Sequence, residues 1–120
     1  ASKLLGLVLT NAKLEFDGKC CYGVLDYDTW SKYISDKKKM DGIIDNLRNI
    51  DGVEIALFMY ETAKNEYKVS LRSINKNVSG IASALGGGGH IRAAGATVYG
   101  KADEILKNTL LPMIEKELNG

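Results

Sequence analysis

Four consecutive glycines, Gly86 to Gly89, run directly into His90, the only histidine in the chain. A backbone without Cβ atoms can turn its N–H groups toward an anion and let a phosphate rest against the main chain. An imidazole at the end of such a run can donate a hydrogen bond to a phosphate oxygen. Glycine is unfavourable in ordered structure by about 0.5–1 kcal/mol relative to alanine. Four in succession therefore point to a backbone that something must approach closely. The plain alternative is a flexible turn with a solvent-exposed histidine. Against it, the run follows an apolar segment and leads into Ala93, Ala94 and Gly95, small residues that permit close packing.

A second group lies upstream. Residues 67–73 alternate, so Tyr67, Val69 and Leu71 share one strand face while Lys68, Ser70 and Arg72 share the other. With the first set toward the core, Arg72 projects from the opposite face near the strand end, where ligands sit in open α/β sheets. Taken alone, it reads as an ordinary exposed arginine on an edge strand. Val78, Ile81, Ala82 and Leu85 form the apolar stripe of a short helix capped by Asn77, and Gly86 fits its C-terminal cap. The glycine run then hangs from a helix end whose partial negative charge repels phosphate. An anion there must be held by loop N–H groups and by Arg72, His90 or Arg92. The sequence leaves open whether a helix begins after the loop.

The remaining pattern supplies the elements around these groups. Leu4, Leu5 and Val8 have helical spacing within residues 2–10, and a chain opening on an apolar helix suggests a segment of a longer protein. Asp17-Gly18 between two candidate strands, 13–16 and 19–26, predicts a hairpin. Asp28 or Thr29 is the expected cap of a short helical turn carrying Trp30 and Tyr33. Lys37, Lys38 and Lys39 read as a solvated loop. Met40, Ile43, Ile44 and Leu47 predict an amphipathic helix ended by Asp51-Gly52, followed by an inner strand over 53–60. Residues 95–99 read as a closing strand and 102–118 as a terminal helix, with Pro112 predicting a kink or restart near Leu111. The fold class is α/β, a mixed β-sheet of about five strands flanked by helices.

At 120 residues the chain is one domain with a single core, and its net charge of +1 argues against a broadly basic, nucleic-acid-coating surface. Nucleic-acid contact should be local, which suits a nucleotide or short oligonucleotide better than a long duplex. Cys20 and Cys21 are adjacent and alone, so they form neither a disulfide framework nor a zinc site, and read as two free thiols in a reducing cytosol. No stretch approaches the roughly 20 apolar residues of a membrane span, and no secretory signal opens the chain. The location expected by default is cytoplasmic. Phosphodiester hydrolysis on paired metals needs clustered carboxylates and histidines. A single histidine and scattered acids give no metal site and argue against hydrolysis by this segment alone.

The string Gly-Gly-Gly-Gly-His-Ile-Arg-Ala-Ala-Gly (86–95) resembles the signature of the DHH-associated domain, the C-terminal substrate-binding domain of DHH-family phosphoesterases. The string from Asp41 to Ala56 resembles the helix–strand unit of the bacterial nano-RNases, which degrade very short oligoribonucleotides and dephosphorylate adenosine bisphosphate. Leu71-Arg72-Ser73 matches the same family, and the resemblance spans nearly all of residues 1–120. It implies that the metals, usually manganese, belong to an N-terminal domain of the same chain bearing an Asp-His-His motif. This domain would hold the substrate across a cleft. By that resemblance Gly86, Gly87, Gly88 and Gly89 line the substrate, with N–H groups of Gly87 to Gly89 toward a phosphate or terminal nucleotide. His90 would act catalytically, donating to a phosphate oxygen near the metals. Arg72 would pair with phosphate or contact a base, and Ser73 would add a hydroxyl. Ala93, Ala94 and Gly95 would keep the loop close to the sheet. Arg92 falls in a variable part of the signature.

Other readings remain beside this one. The same domain occurs in cyclic-di-AMP phosphodiesterases, although the membrane-anchored members tend to depart from Ala-Ala-Gly after the histidine. A related glycine-rich module binds tRNA at the C-terminus of alanyl-tRNA synthetases, typically with a basic residue where this chain has His90. A purely structural domain with an incidental glycine loop is the third. The expected partners are the catalytic domain and a short RNA or nucleotide, without a membrane, and with homodimerisation of a full-length enzyme open.

Overall fold

The computed structural model describes residues 2–40 and 42–120. Ala1 and Asp41, the first residue of the string compared above, lie outside the described residues, as do the side chains of Ser2, Lys37 and Lys39. The six-stranded sheet has the order β1 (Lys13–Glu15), β2 (Cys20–Leu25), β3 (Ile55–Ala63), β4 (Glu66–Ser73), β6 (Ala93–Tyr99), β5 (Gly88–His90), with β2 and β3 parallel and every other neighbouring pair antiparallel.

Helix α1 (Ser2–Asn11) leads into the hairpin of β1 (Lys13–Glu15) and β2 (Cys20–Leu25). Its turn is closed by the Lys19 N–H donating to Phe16 O at 3.1 Å, with positive φ at both Asp17 and Gly18. Such a pair of left-handed residues matches the twist of the two strands. Helix α2 (Tyr27–Trp30) is capped by Asp26, whose Oδ1 accepts the Thr29 N–H at 2.8 Å. The cap thus falls before Asp28 and Thr29, the residues expected from sequence. Trp30 is pinned from a distance, its indole N–H donating to Glu61 O at 2.8 Å. A 3-10 turn (Lys37–Met40) and α3 (Ile43–Arg48) carry the chain to β3 (Ile55–Ala63).

Strand β3 is central and buried on both faces. Leu57 and Met59 enter one core layer with Val69, Leu71, Leu110 and Ile114. Phe58 and Tyr60 enter the other with Leu4, Val8, Trp30, Ile44 and Leu47. Cys20 and Cys21 are free thiols that divide between these layers, as neighbours on a strand must. Burial raises the Cys20 pKa to about 12, with Cys21 and Glu15 adding to the effect, and burial also raises that of Cys21.

Strand β4 (Glu66–Ser73) precedes α4 (Ser79–Ala84), where Asn77 Oδ1 accepts the Ser79 and Gly80 amides at 3.0 and 3.3 Å. The glycine run supplies β5 (Gly88–His90), which pairs with β6 (Ala93–Tyr99) through a turn at Ile91 and Arg92. This is the sixth strand, one more than the sequence indicates, and no helix follows the loop. The terminal helix comprises α5 (Ala102–Ile105), a π-helical turn (Leu106–Leu110) and α6 (Leu111–Asn119). The break falls just before Pro112, which has no N–H to give the preceding turn.

Candidate functional site

Helices α1 and α3 cover β2 and β3 but stop over β4, leaving one face of β4, β6 and β5 open. Register places Arg72 opposite Ala93, and Ala93 opposite His90. Directly paired residues face the same way, so these three side chains form one row. With strands about 4.8 Å apart, the Cα atoms of Arg72 and His90 are separated by about 10 Å. The next row is Ser70, Gly95 and Gly88, and the next Lys68 and Thr97. The result is a shelf with a small-residue floor and polar groups along its sides. A hollow of about 290 Å³ lined by Leu7, Asn11, Asp26 and Thr29 contains none of these residues.

Arg72 is held from two directions. Its Nη1 donates to Leu71 O at 3.0 Å, and its Nε lies 3.4 Å from Asp45 Oδ1 on α3. The same carboxylate oxygen takes Arg48 Nη1 at 3.2 Å. Such half-exposed ion pairs stabilise little, but they fix where the guanidinium points and leave its other N–H groups for a ligand. His90 is exposed, at the outer edge of the sheet.

The glycines divide by role. The Gly86 N–H donates to Ser83 O at 3.0 Å and the Gly87 N–H to Ala82 O at 2.8 Å. This is a Schellman closure of α4, and Gly86, with φ +89°, occupies the left-handed position it requires. A Cβ on Gly87 would collide with Gly95 O and lie 2.7 Å from the Ala96 Cβ. One on Gly89 would lie 2.6 Å from both Ala93 O and Ala94 Cα. The fold itself therefore accounts for Gly86, Gly87 and Gly89. Gly88 differs, because a Cβ there meets nothing within 4 Å and points onto the shelf.

Main-chain bonding narrows the anion-binding expectation further. The Ser73 N–H donates to Arg92 O at 3.0 Å, which makes Arg72 and Ala93 a non-hydrogen-bonded pair of the β4–β6 ladder. Backbone groups alternate in direction along β6, so those of Ala93 and Gly95 turn toward His90 and Gly88 on β5. By the same alternation the N–H of Gly89 points outward from the open sheet edge. Of the amides expected to be offered by Gly87 to Gly89, that of Gly89 alone is left for a ligand.

Ser73 and Ala94 are buried on the opposite face of the sheet. The Ser73 hydroxyl donates to Lys76 O, so the structure does not bring it to Arg72. Arg92 is exposed in the turn, whose carbonyls are tied to Ser73 and, through Ile91 O, to the Val78 N–H. Lys68, Ser70 and Asp45 were not singled out by sequence. The period-two pattern already put the first two on the Arg72 face, whereas the approach of Asp45 depends on how α3 packs. Among the described residues, no three His, Cys, Asp or Glu side chains gather to hold a metal. These donors do not fit the manganese pair of a phosphoesterase. No helix among the described residues is long and apolar enough to cross a membrane.

Known proteins resemble this chain in sequence and fold. The chain is 30% identical over 106 residues to the bifunctional oligoribonuclease and PAP phosphatase NrnA of Bacillus subtilis, covering 87% of this chain and 33% of that protein. It is 30% identical over 117 residues to the NrnA of Thermus thermophilus, covering 97% and 34%. A crystal structure of an exopolyphosphatase-related protein from Bacteroides fragilis superimposes with a TM-score of 0.83 at 27% identity, over 96% of this chain and 34% of that one. The chain spans about a third of the length of these curated relatives. Residues 17–118 match the DHHA1 domain, and the chain belongs to that family.

Proposed function

We propose that this chain is the substrate-holding part of a phosphoesterase acting on short oligoribonucleotides, adenosine bisphosphate, or both. Arg72 and His90 grip a phosphate between them over Ala93. The outward Gly89 N–H adds a donor, and the substrate backbone or sugar lies against Gly88. The observation that carries this reading is Gly88, a bare residue that internal packing does not require, facing the same side as a guanidinium and an imidazole. The names of the curated relatives, oligoribonuclease and PAP phosphatase, supply the substrate class.

In this proposal the shelf is one wall of a cleft. The other wall is a catalytic domain of the same polypeptide that carries the metal ligands, with manganese the expected ion and the cytoplasm the expected location. His90 would reach across the cleft to a phosphate oxygen. What this chain contributes is orientation and charge. It fixes the phosphate against a stiff backbone and keeps the remainder of the substrate extended along the sheet.

Titration of the isotope-labelled 120-residue chain with adenosine 3',5'-bisphosphate, followed by amide shifts, tests the proposal. Shifts centred on Arg72, Gly88, Gly89, His90 and Ala93 are expected. Absence of shifts there at millimolar ligand would overturn it. Preference for cyclic-di-AMP, or for tRNA over both nucleotides, would move the reading to the other members of the family.

A further inference from the structure

The shelf continues beyond the row of Arg72 and His90. On β4 the residues facing it are Glu66, Lys68, Ser70 and Arg72, and on β6 they are Ala93, Gly95, Thr97 and Tyr99. Lys68 is exposed, and its Cε lies 3.9 Å from the place a Cβ on Gly95 would occupy. The side chain therefore leans over the bare middle row instead of pointing straight into solvent. This brings the ammonium within one row of Arg72, about 7 Å along the strand. That is comparable with the span from one backbone phosphate to the next. Ser70 and Thr97 place hydroxyls on either side of this position.

The acids near the shelf already have partners. Asp45 lies between Arg48 and Arg72. The Glu66 carboxylate accepts the Thr62 hydroxyl at 2.9 Å and is drawn toward β3. At the far end stands Tyr99, 72% exposed and paired in register with Glu66. A ring there suits a base, which can stack on it, better than a second anion next to a carboxylate.

We propose that Lys68, with Ser70 and Thr97, forms a second phosphate position on the shelf. A single-stranded ribonucleotide then lies along β4 and β6 from His90 toward Tyr99, with one phosphate at Arg72 and the next at Lys68. This rests on the nucleotide reading of the Arg72–His90 row and extends it, since neither the glycine signature nor the Leu71-Arg72-Ser73 string contains Lys68.

The test compares two probes, adenosine 5'-monophosphate and the 5'-phosphorylated dinucleotide pApA, on the 120-residue chain. Lys68→Gln should weaken pApA about fivefold and leave the monophosphate within about twofold. It should also lower the salt slope of pApA binding by about 0.7. Arg72→Gln should weaken both probes. Lys107→Gln, an equal change of charge on the terminal helix, should change neither. Equal loss of both probes in Lys68→Gln, or loss of neither, overturns the second position while leaving the first intact. If the wild-type chain binds neither probe, the nucleotide reading itself fails, and Lys68 with it.

Discussion

Arg72 and His90 stand in one row across three strands, facing the same side of the sheet with only Ala93 between them. Neither local sequence nor helix geometry creates that relationship. It arises because the chain leaves β4, makes α4, and returns through a glycine run that pairs with β6. If the row grips phosphate, Arg72→Ala should raise the dissociation constant of adenosine 3',5'-bisphosphate about tenfold, since charge-assisted contacts are the strong ones. In the complete enzyme His90→Ala should lower turnover about 10²-fold with little change in thermal stability. Full activity in that variant would remove the role assigned to the imidazole.

Gly87 and Gly88 are neighbours with opposite constraints. Gly87→Ala forces a methyl group into Gly95 O and the Ala96 methyl, and should destabilise the fold by about 1–3 kcal/mol in urea titration. Gly88→Ala points its methyl into open space and should unfold within about 1 kcal/mol of wild type, yet bind nucleotide more weakly. Wild-type affinity in Gly88→Ala would show that no ligand approaches that residue closely.

The buried thiols set an alkaline limit. Unfolded, each titrates near its ordinary value of 9.0, whereas in the fold Cys20 is raised to about 12 and Cys21 is raised as well. Above pH 9 the unfolded chain therefore holds fewer thiol protons than the native one, and stability falls as pH rises through that window. The slope is up to about 1.4 kcal/mol per pH unit for Cys20 alone. A Cys20→Ala, Cys21→Ala pair should flatten the alkaline limb of a stability–pH curve. Neither thiol should react with a disulfide reagent before global unfolding.

Asp26 gives the opposite pH response. Hydrogen bonds from the Thr29 hydroxyl and the Thr29 N–H, with Lys32 nearby, hold its carboxyl below the ordinary 3.8. Its contribution is complete above that value and disappears as pH falls through the lowered one. Asp26→Ala should cost about 0.5–2 kcal/mol at neutral pH, while Asp26→Asn should retain most of the cap and lose the acid dependence. Equal denaturation midpoints for wild type and Asp26→Ala would show that α2 does not rely on this cap.

The features legible in the sequence are those with a local cause. Asp17-Gly18 marked its hairpin, and the alternation of residues 67–73 gave both faces of β4. The spacing of Met40, Ile43, Ile44 and Leu47 points to one helix; α3 holds the last three, while Met40 belongs to the preceding 3-10 turn. Strand β5 was not legible, because glycine is depleted in strands and only pairing with β6 makes Gly88 to His90 extended. Residue type does not separate Asp26, Asp28 and Thr29 as caps of α2, since all three suit the role, and the structure uses Asp26. At the site, Arg72 and His90 carry a recognisable signature. Their shared row does not, and the Leu71-Arg72-Ser73 string hides that Ser73, the next residue along the strand, faces the other way.

The glycine run is fastened at both ends before any ligand arrives. On one side the Schellman bonds of Gly86 and Gly87 hold it, and on the other the β6 ladder and the Ile91 O bond from Val78. A segment so secured has little conformational freedom left to surrender on association. Calorimetry should therefore record binding without the large unfavourable entropy of a loop that freezes on contact. Four glycines in a row, the usual mark of suppleness, act here as a rigid ledge.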